Sequence, residues 1–264
     1  MPPSAFIHNL GNRFNDMALS PKHKAYSKPR FVIAIDFGTT FTGVAYADDR
    51  LRKNAANLEP EQIRDIVSTI KDWPKSRGHH YMEKVPSVMA YDIDTGEPVA
   101  WGWGATDKSH KVQISYFKLG LQYDASQHYT SNTDLRSLST LGGFLTDPSW
   151  KHPALPEKGA FDFTVDYLKE LRTYILKNLE KRYTKRVLST QEIKYVVTVP
   201  AIWTDKTRSL TKKAAVHAGF PEDDLDIVTE PEAAALYSAT LCHDVDLTDG
   251  DRFLVCDAGG GTVV

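Results

Sequence analysis

Two stretches far apart in the chain follow one plan: FVIAIDFGTT at 31–40 and FLVCDAGGGT at 253–262. In each, an apolar run ends on an aspartate, and glycines and then threonine follow. The run Phe31–Ile35 has no polar interruption, which predicts a strand buried on both faces. Such a strand leaves its aspartate at the end of a sheet, with a tight glycine turn beside it. The combination suits phosphate chemistry. Glycine lets backbone N–H groups approach an anion, threonine adds hydroxyl donors, and a carboxylate can hold a hydrated Mg²⁺. One such turn is weak evidence, because glycine turns after strands are common. Two copies on the same plan make a shared site the leading expectation.

The rest of the chain supplies the elements around these two turns. Gly38 predicts a turn into a return strand, Thr42–Ala47. Ile66–Trp73, Val85–Tyr91 and Pro98–Trp103 read as shorter strands, with Asp94-Thr95-Gly96 turning between the last two. Residues 48–64 read as a polar loop or short helix, and 122–160 as irregular excursions. Val165, Leu168, Leu171, Ile175 and Leu179 recur at helical spacing and predict a helix over Phe163–Tyr183. Ile193–Val199 reads as a buried strand stopped by Pro200, and Asp205–Gly219 as a helix ended by its glycine. Asp226–Thr229 and Phe253–Cys256 are the last expected strands, and Glu232–Leu241 is an alanine-rich helix with Pro231 at its start. Strands alternating with helices over 160–264 predict an α/β domain with a mixed sheet.

Composition narrows the function classes. The 264 residues carry 32 bases and 34 acids, a net charge of −2, which excludes a generally basic nucleic-acid binder. No apolar run reaches the roughly 18 residues of a membrane span. Two cysteines, Cys242 and Cys256, make neither a disulfide framework nor a zinc set. A soluble, cytoplasmic protein is expected. Residues 1–30 hold Arg13, Lys22, Lys24, Lys28 and Arg30 against Asp16; a disordered tail is the favoured reading and an organelle transit peptide the alternative. His79-His80 reads as a solvated loop pair rather than a metal site.

Four segments carry a resemblance: IDFGTTFTGVAYA at 35–47, VVTVPAIWTDKTRSLTKKAAVHAGF at 196–220, IVTEPEAAALYSA at 227–239 and CDAGGGTVV at 256–264, with VPS at 85–87 in the same order. The chain resembles the nucleotide-binding domain of the seventy-kilodalton heat-shock (DnaK-type) chaperones, within the actin-like ATPase superfamily. WGWGA at 101–105 and FKLGL at 117–121 look like a divergent branch, common in fungi and related to the family's twelfth animal group. The resemblance implies an RNase-H-like first lobe over 31–251, the start of a second lobe at 252–264, and ATP or ADP with Mg²⁺ in the cleft between lobes. Asp36 and Asp257 match the aspartates that hold hydrated Mg²⁺. Gly38, Thr39 and Thr40 match the first phosphate loop, and Gly259, Gly260, Gly261 and Thr262 the second.

By the same resemblance, Glu230 matches the carboxylate that orders water at the metal and the γ-phosphate; a helix-first-turn acid is the alternative. Lys118 matches the catalytic lysine that contacts the γ-phosphate and the attacking water, with a solvated surface lysine as the alternative. Pro200 and Arg208 match the proline switch and its partner arginine; a strand terminator and a solvated helix face are the alternatives. Co-chaperones or client proteins are the implied partners, with no nucleic acid and no membrane.

Two departures stand out: Val264 occupies the place of the family's aspartate, and the chain ends there. Together they predict a truncated, catalytically impaired form, with Asp257–Val264 displaced from the cleft or mobile. A carbohydrate kinase, which shares the Asp-x-Gly-Thr-Thr loop, and a non-enzymatic interaction module are the competing functions.

Overall fold

The computed structural model describes residues 30–48, 67–75, 82–106, 111–122, 152, 154–241, 252 and 254–260. The expected tail, the polar stretch after Asp48, the His79-His80 pair, and Gly261 and Thr262 lie outside the described residues, as do most of 122–153.

The apolar run forms β1 (Arg30–Phe37), which turns through Gly38 into β2 (Phe41–Asp48), antiparallel to it. Gly38 is required there: a Cβ on it would lie 2.1 Å from the Phe41 carbonyl oxygen. Beyond β1 on its other side run β8 (Glu192–Val199) and then β9 (Leu225–Thr229), both parallel to their neighbours. Two short strands, β3 (Val67–Thr69) and β4 (Lys84–Pro86), pair with the two ends of β2. The result is a mixed sheet in the order β3-β2-β1-β8-β9, with β4 beside β2. Phe31–Ile35, Thr42–Ala47 and Ile193–Val199 therefore share one sheet, as expected. A second sheet, in the order β6-β5-β7, is built from β5 (Val88–Asp92), β6 (Pro98–Trp101) and β7 (Lys111–Ser115).

The β1 strand departs from the expectation of burial on both faces. Phe31, Ile33, Ile35 and Phe37 are fully buried, but Val32 and Asp36 are half-buried and Ala34 is exposed. One face of the sheet carries the core and the other is open. Small residues occupy that open face where β1 and β2 meet, Ala34, Gly43 and Ala45, so an apolar run alone does not report which side is covered. The expected strand Val85–Tyr91 is divided between the two sheets. Pro86 has no N–H to continue a ladder. Ser87 turns inward, its N–H donating to the Thr40 carbonyl (2.8 Å) and its Oγ to the Gly38 carbonyl (2.7 Å). The expected strand at Ile66–Trp73 is only three residues long, and Pro98–Trp103 leaves the extended form at Gly102, whose φ of 56° begins a 3₁₀ turn over Gly102–Thr106.

The helices are α1 (Phe117–Gly120), α2 (Ala160–Arg182), α3 (Lys185–Ser189), α4 (Asp205–His217) and α5 (Glu230–Leu241). Of the predicted α2 stripe, Leu168, Leu171, Ile175 and Leu179 are 0% exposed, whereas Val165 is half-buried and Phe163 and Tyr167 complete the buried face. Each such side chain is worth about 1.5–3 kcal/mol of burial. Aromatic rings join α2 to both sheets, with Phe37 on Tyr167 (6.0 Å between centroids), Trp101 on Tyr174 (5.8 Å) and Tyr91 on Phe163 (5.5 Å). Thr204 caps α4 by accepting the Thr207 N–H, and Gly219, at φ 94°, lets the chain leave it. The short elements β7, α1 and α3 were not expected; the two helices are too short to show a helical period, whereas β7 does alternate, with Val112 and Ile114 buried. Among the described residues no helix is long and apolar enough to cross a membrane.

Candidate functional site

The parallel strands β1, β8 and β9 end on the same edge of the main sheet, and in open α/β sheets ligands bind at that carboxyl edge. Here the edge presents Asp36 from β1, Thr198 from β8 and Glu230, which follows β9 directly as the first residue of α5. They open on a cleft of about 760 Å³ that is also lined by Thr39, Thr40, Lys84 and Lys118 and by Asp257, Gly259 and Gly260. That volume lies within the roughly 300–1,000 Å³ of small-molecule sites.

Asp36 uses both carboxylate oxygens: Oδ2 accepts from Lys84 Nζ at 2.7 Å, and Oδ1 accepts from Thr198 Oγ1 at 3.2 Å. The glycine–threonine turn that follows is held from below, where Ser87 Oγ and Thr42 Oγ1 share a hydrogen bond of 2.9 Å. Ser87, Thr42, Thr198 and Lys84 were not singled out as site residues. Thr42, Ser87 and Thr198 lie in segments of the resemblance, at 35–47, 85–87 and 196–220, and Lys84 lies outside them.

Lys118 is not a solvated surface lysine. It is 2% exposed, and its Nζ donates to Glu230 Oε1 at 2.5 Å. Tyr116, in the left-handed region at φ 60°, turns the chain so that the four-residue α1 drives this lysine inward. Its ammonium lies over the rings of Phe37 (5.6 Å) and Trp203 (5.4 Å), close enough for cation–π attraction. Burial pulls the Lys118 pKa below the ordinary lysine value, against the opposing pull of Glu230, Asp36 and Asp257. Burial likewise pushes Glu230 above the ordinary carboxylate value, with Asp36 and Asp257 adding to the rise and Lys118 opposing it. Three carboxylates and one buried ammonium thus act on each other within one cleft.

The second glycine turn reverses an expectation. Asp257–Val264 was expected to sit away from the cleft or to be mobile, yet Asp257 through Gly260 line it. A Cβ on Gly260 would stand 2.3 Å from Thr40 Oγ1, so the two glycine turns are packed against each other. The strand expected at Phe253–Cys256 is not seen in its described residues: Leu254, Val255 and Cys256 are not in a strand, and Leu254 is 94% exposed. Contact with the first turn, rather than strand pairing, brings Asp257 to the cleft.

Pro200 is buried at the end of β8, and Arg208 Nη2 on α4 donates to the carbonyl of Ala201 at 2.9 Å. Arg208 is therefore attached to the turn after Pro200 and does not lie on a solvated helix face.

The donor set fits a hydrated cation with phosphates better than a caged metal. Among the described residues no three His, Cys, Asp or Glu side chains are grouped to hold a metal by themselves. Two carboxylates beside glycine turns are what Mg²⁺ uses when it keeps its waters and shares phosphate oxygens.

Residues 162–264 match the family model described as Hsp70 protein. The chaperone protein DnaK of Thermosipho africanus is 39% identical over 241 residues, 89% of this chain and 30% of the relative. Heat shock 70 kDa protein 12A of Mus musculus is 28% identical over 214 residues, 80% of this chain and 28% of the relative. The crystal structure of MreB5 of Spiroplasma citri bound to ADP covers 78% of this chain at 13% identity, with a TM-score of 0.36. The chain has a mixed α/β fold, a mixed sheet flanked by helices. In sequence it is similar to Hsp70 proteins. It spans 30% of the length of the DnaK relative and 28% of that of the mouse protein.

Proposed function

We propose that this cleft binds ATP and ADP with Mg²⁺ and that Lys118 and Glu230 serve hydrolysis of the γ-phosphate. The observation that carries the reading is the buried Lys118–Glu230 pair facing Asp36, Asp257 and two interlocked glycine turns. In this reading the N–H groups around Gly38–Thr40 and Gly259–Gly260 receive phosphate oxygens, and Asp36 and Asp257 hold the metal through its waters. Bound Mg²⁺ supplies charge neutralisation at the phosphates.

The protein's own work is positional. Lys118 Nζ, already desolvated between Phe37 and Trp203, reaches the charge that develops on the transferred phosphoryl group. Glu230 Oε1 holds a Lys118 proton in the resting cleft, and once Lys118 turns to phosphate the same carboxylate is free to orient the attacking water. Pro200 and Arg208 couple the end of β8 to α4 and form the switch that reports the nucleotide. Chaperone names among the matched relatives favour this reading over a carbohydrate kinase. Co-chaperones or clients as partners and a cytoplasmic location belong to the same proposal.

Isothermal titration of the full chain with ADP, with and without Mg²⁺, tests it. The expected result is Mg²⁺-dependent binding that Asp36→Asn weakens at least about tenfold, the equivalent of 1.4 kcal/mol. Binding unaffected by both Mg²⁺ and this substitution would refute the reading.

A further inference from the structure

Asp36 does not stand alone in the sheet. It is paired with Gly43 on β2, and Gly43 is paired with Lys84 on β4, so the three residues form one row across three strands. The middle residue has no side chain. Lys84 uses that gap: its Cγ and Cε lie 3.5 and 3.6 Å from the position a Gly43 Cβ would take, and its Nζ reaches Asp36 Oδ2 at 2.7 Å. Any long side chain at 43 would stand between the two charges.

We propose that Lys84 is a tethered cation that occupies Asp36 when no divalent metal is present, and that it competes with the metal and sets the metal concentration the cleft requires. This rests on the proposed role of Asp36 in holding Mg²⁺. The charges of the cleft support the assignment. Lys118 is engaged by Glu230, which leaves Lys84 as the cation on Asp36. The Lys84 and Asp36 side chains are 53% and 44% exposed, so the pair is open to water, and exposed pairs are held only weakly. It can therefore be displaced. Lys118–Glu230, 2% and 13% exposed, is by contrast built in. A divalent ion held through Asp36 would sit within a few ångströms of the ammonium unless Lys84 swings away, and either outcome weakens metal binding.

The experiment is a titration of the full chain with Mn²⁺ alone, following free Mn²⁺ by electron paramagnetic resonance, for wild type, Lys84→Gln, Lys84→Arg and Asp36→Asn. Lys84→Gln is expected to tighten Mn²⁺ binding about threefold to fivefold, the most that release of an exposed pair can supply. Lys84→Arg, which keeps the charge, is expected to stay near wild type. Unchanged or weaker binding in Lys84→Gln, with Asp36→Asn losing Mn²⁺, overturns this inference and leaves the proposed role of Asp36 intact. Asp36→Asn binding Mn²⁺ as wild type does overturns both. Thermal unfolding of each variant confirms that the half-exposed substitutions leave the fold in place.

Discussion

Lys118 and Glu230 are coupled so closely that neither can be altered without exposing the other to an unfavourable setting. Removing one partner of a buried pair costs about 3–5 kcal/mol, because the remaining charge is left desolvated. Lys118→Met should therefore destabilise the chain, and the loss should grow with pH. Burial already raises the Glu230 pKa in the folded state, so the folded chain binds more protons than the unfolded one between the ordinary carboxylate value and the raised one. Stability from this group is present below that window and is lost as pH rises through it. Without the ammonium the raised value moves higher still. Denaturant unfolding at pH 5 and pH 8 should show a larger deficit at pH 8; an equal deficit at both would remove Glu230 as its cause. Gly38 gives a second expectation at this scale. Gly38→Ala drives a Cβ against the Phe41 carbonyl. It should abolish ADP binding in a titration that the wild-type chain passes.

Among the elements, α2 and α4 are the two whose sequence patterns translate directly into packing. Leu171 lies in the middle of the α2 stripe at 0% exposure, and Leu171→Ala should lower unfolding free energy by about 2–5 kcal/mol. Thr204→Ala removes the α4 cap and should lower it by about 1 kcal/mol, measured in the same denaturation series. These two substitutions separate core from cap. The cap matters beyond stability, because α4 carries Arg208 to the turn after Pro200. The division of Val85–Tyr91 shows the opposite relation between pattern and element. Val85, Val88, Met89 and Tyr91 favour a strand, but Pro86 and the inward turn of Ser87 assign its halves to different sheets.

At the scale of the molecule, the cleft is assembled from segments far apart in the chain: Asp36 and Thr40 from the first hairpin, Lys118 from a short helix, Glu230 from α5, and Asp257 and Gly260 from the last described turn. A ligand that bridges them should stabilise all of them together. Mg²⁺ with ADP at a hundred times its Kd should raise the unfolding free energy by about 2.7 kcal/mol. Differential scanning fluorimetry should show a rise in Tm with wild type and, at the same ligand concentration, at most about half that rise with Asp36→Asn. Asp257→Ala should reduce the rise, and an undiminished rise would exclude Asp257 from the ligand site.

Much of this was determined by the sequence alone, because it depends on neighbours a few residues apart. The period of α2, the Thr204 and Gly219 ends of α4, the turn at Gly38, and the ends of β1 and β9, where Asp36 and Glu230 sit, all follow from local sterics and amphipathic spacing. What only the tertiary structure decided depends on partners far along the chain. The open face of β1 follows from what packs beside it, since an apolar run reads the same whether one face is covered or two. Lys118 gives no local sign of burial; Phe37, Trp203 and Glu230 have to be folded around it. Lys84 reaches Asp36 only because the register of three strands puts glycine between them. Asp257 reaches the cleft through the packing of Gly260 on Thr40, a contact between segments far apart in the chain that no local pattern encodes.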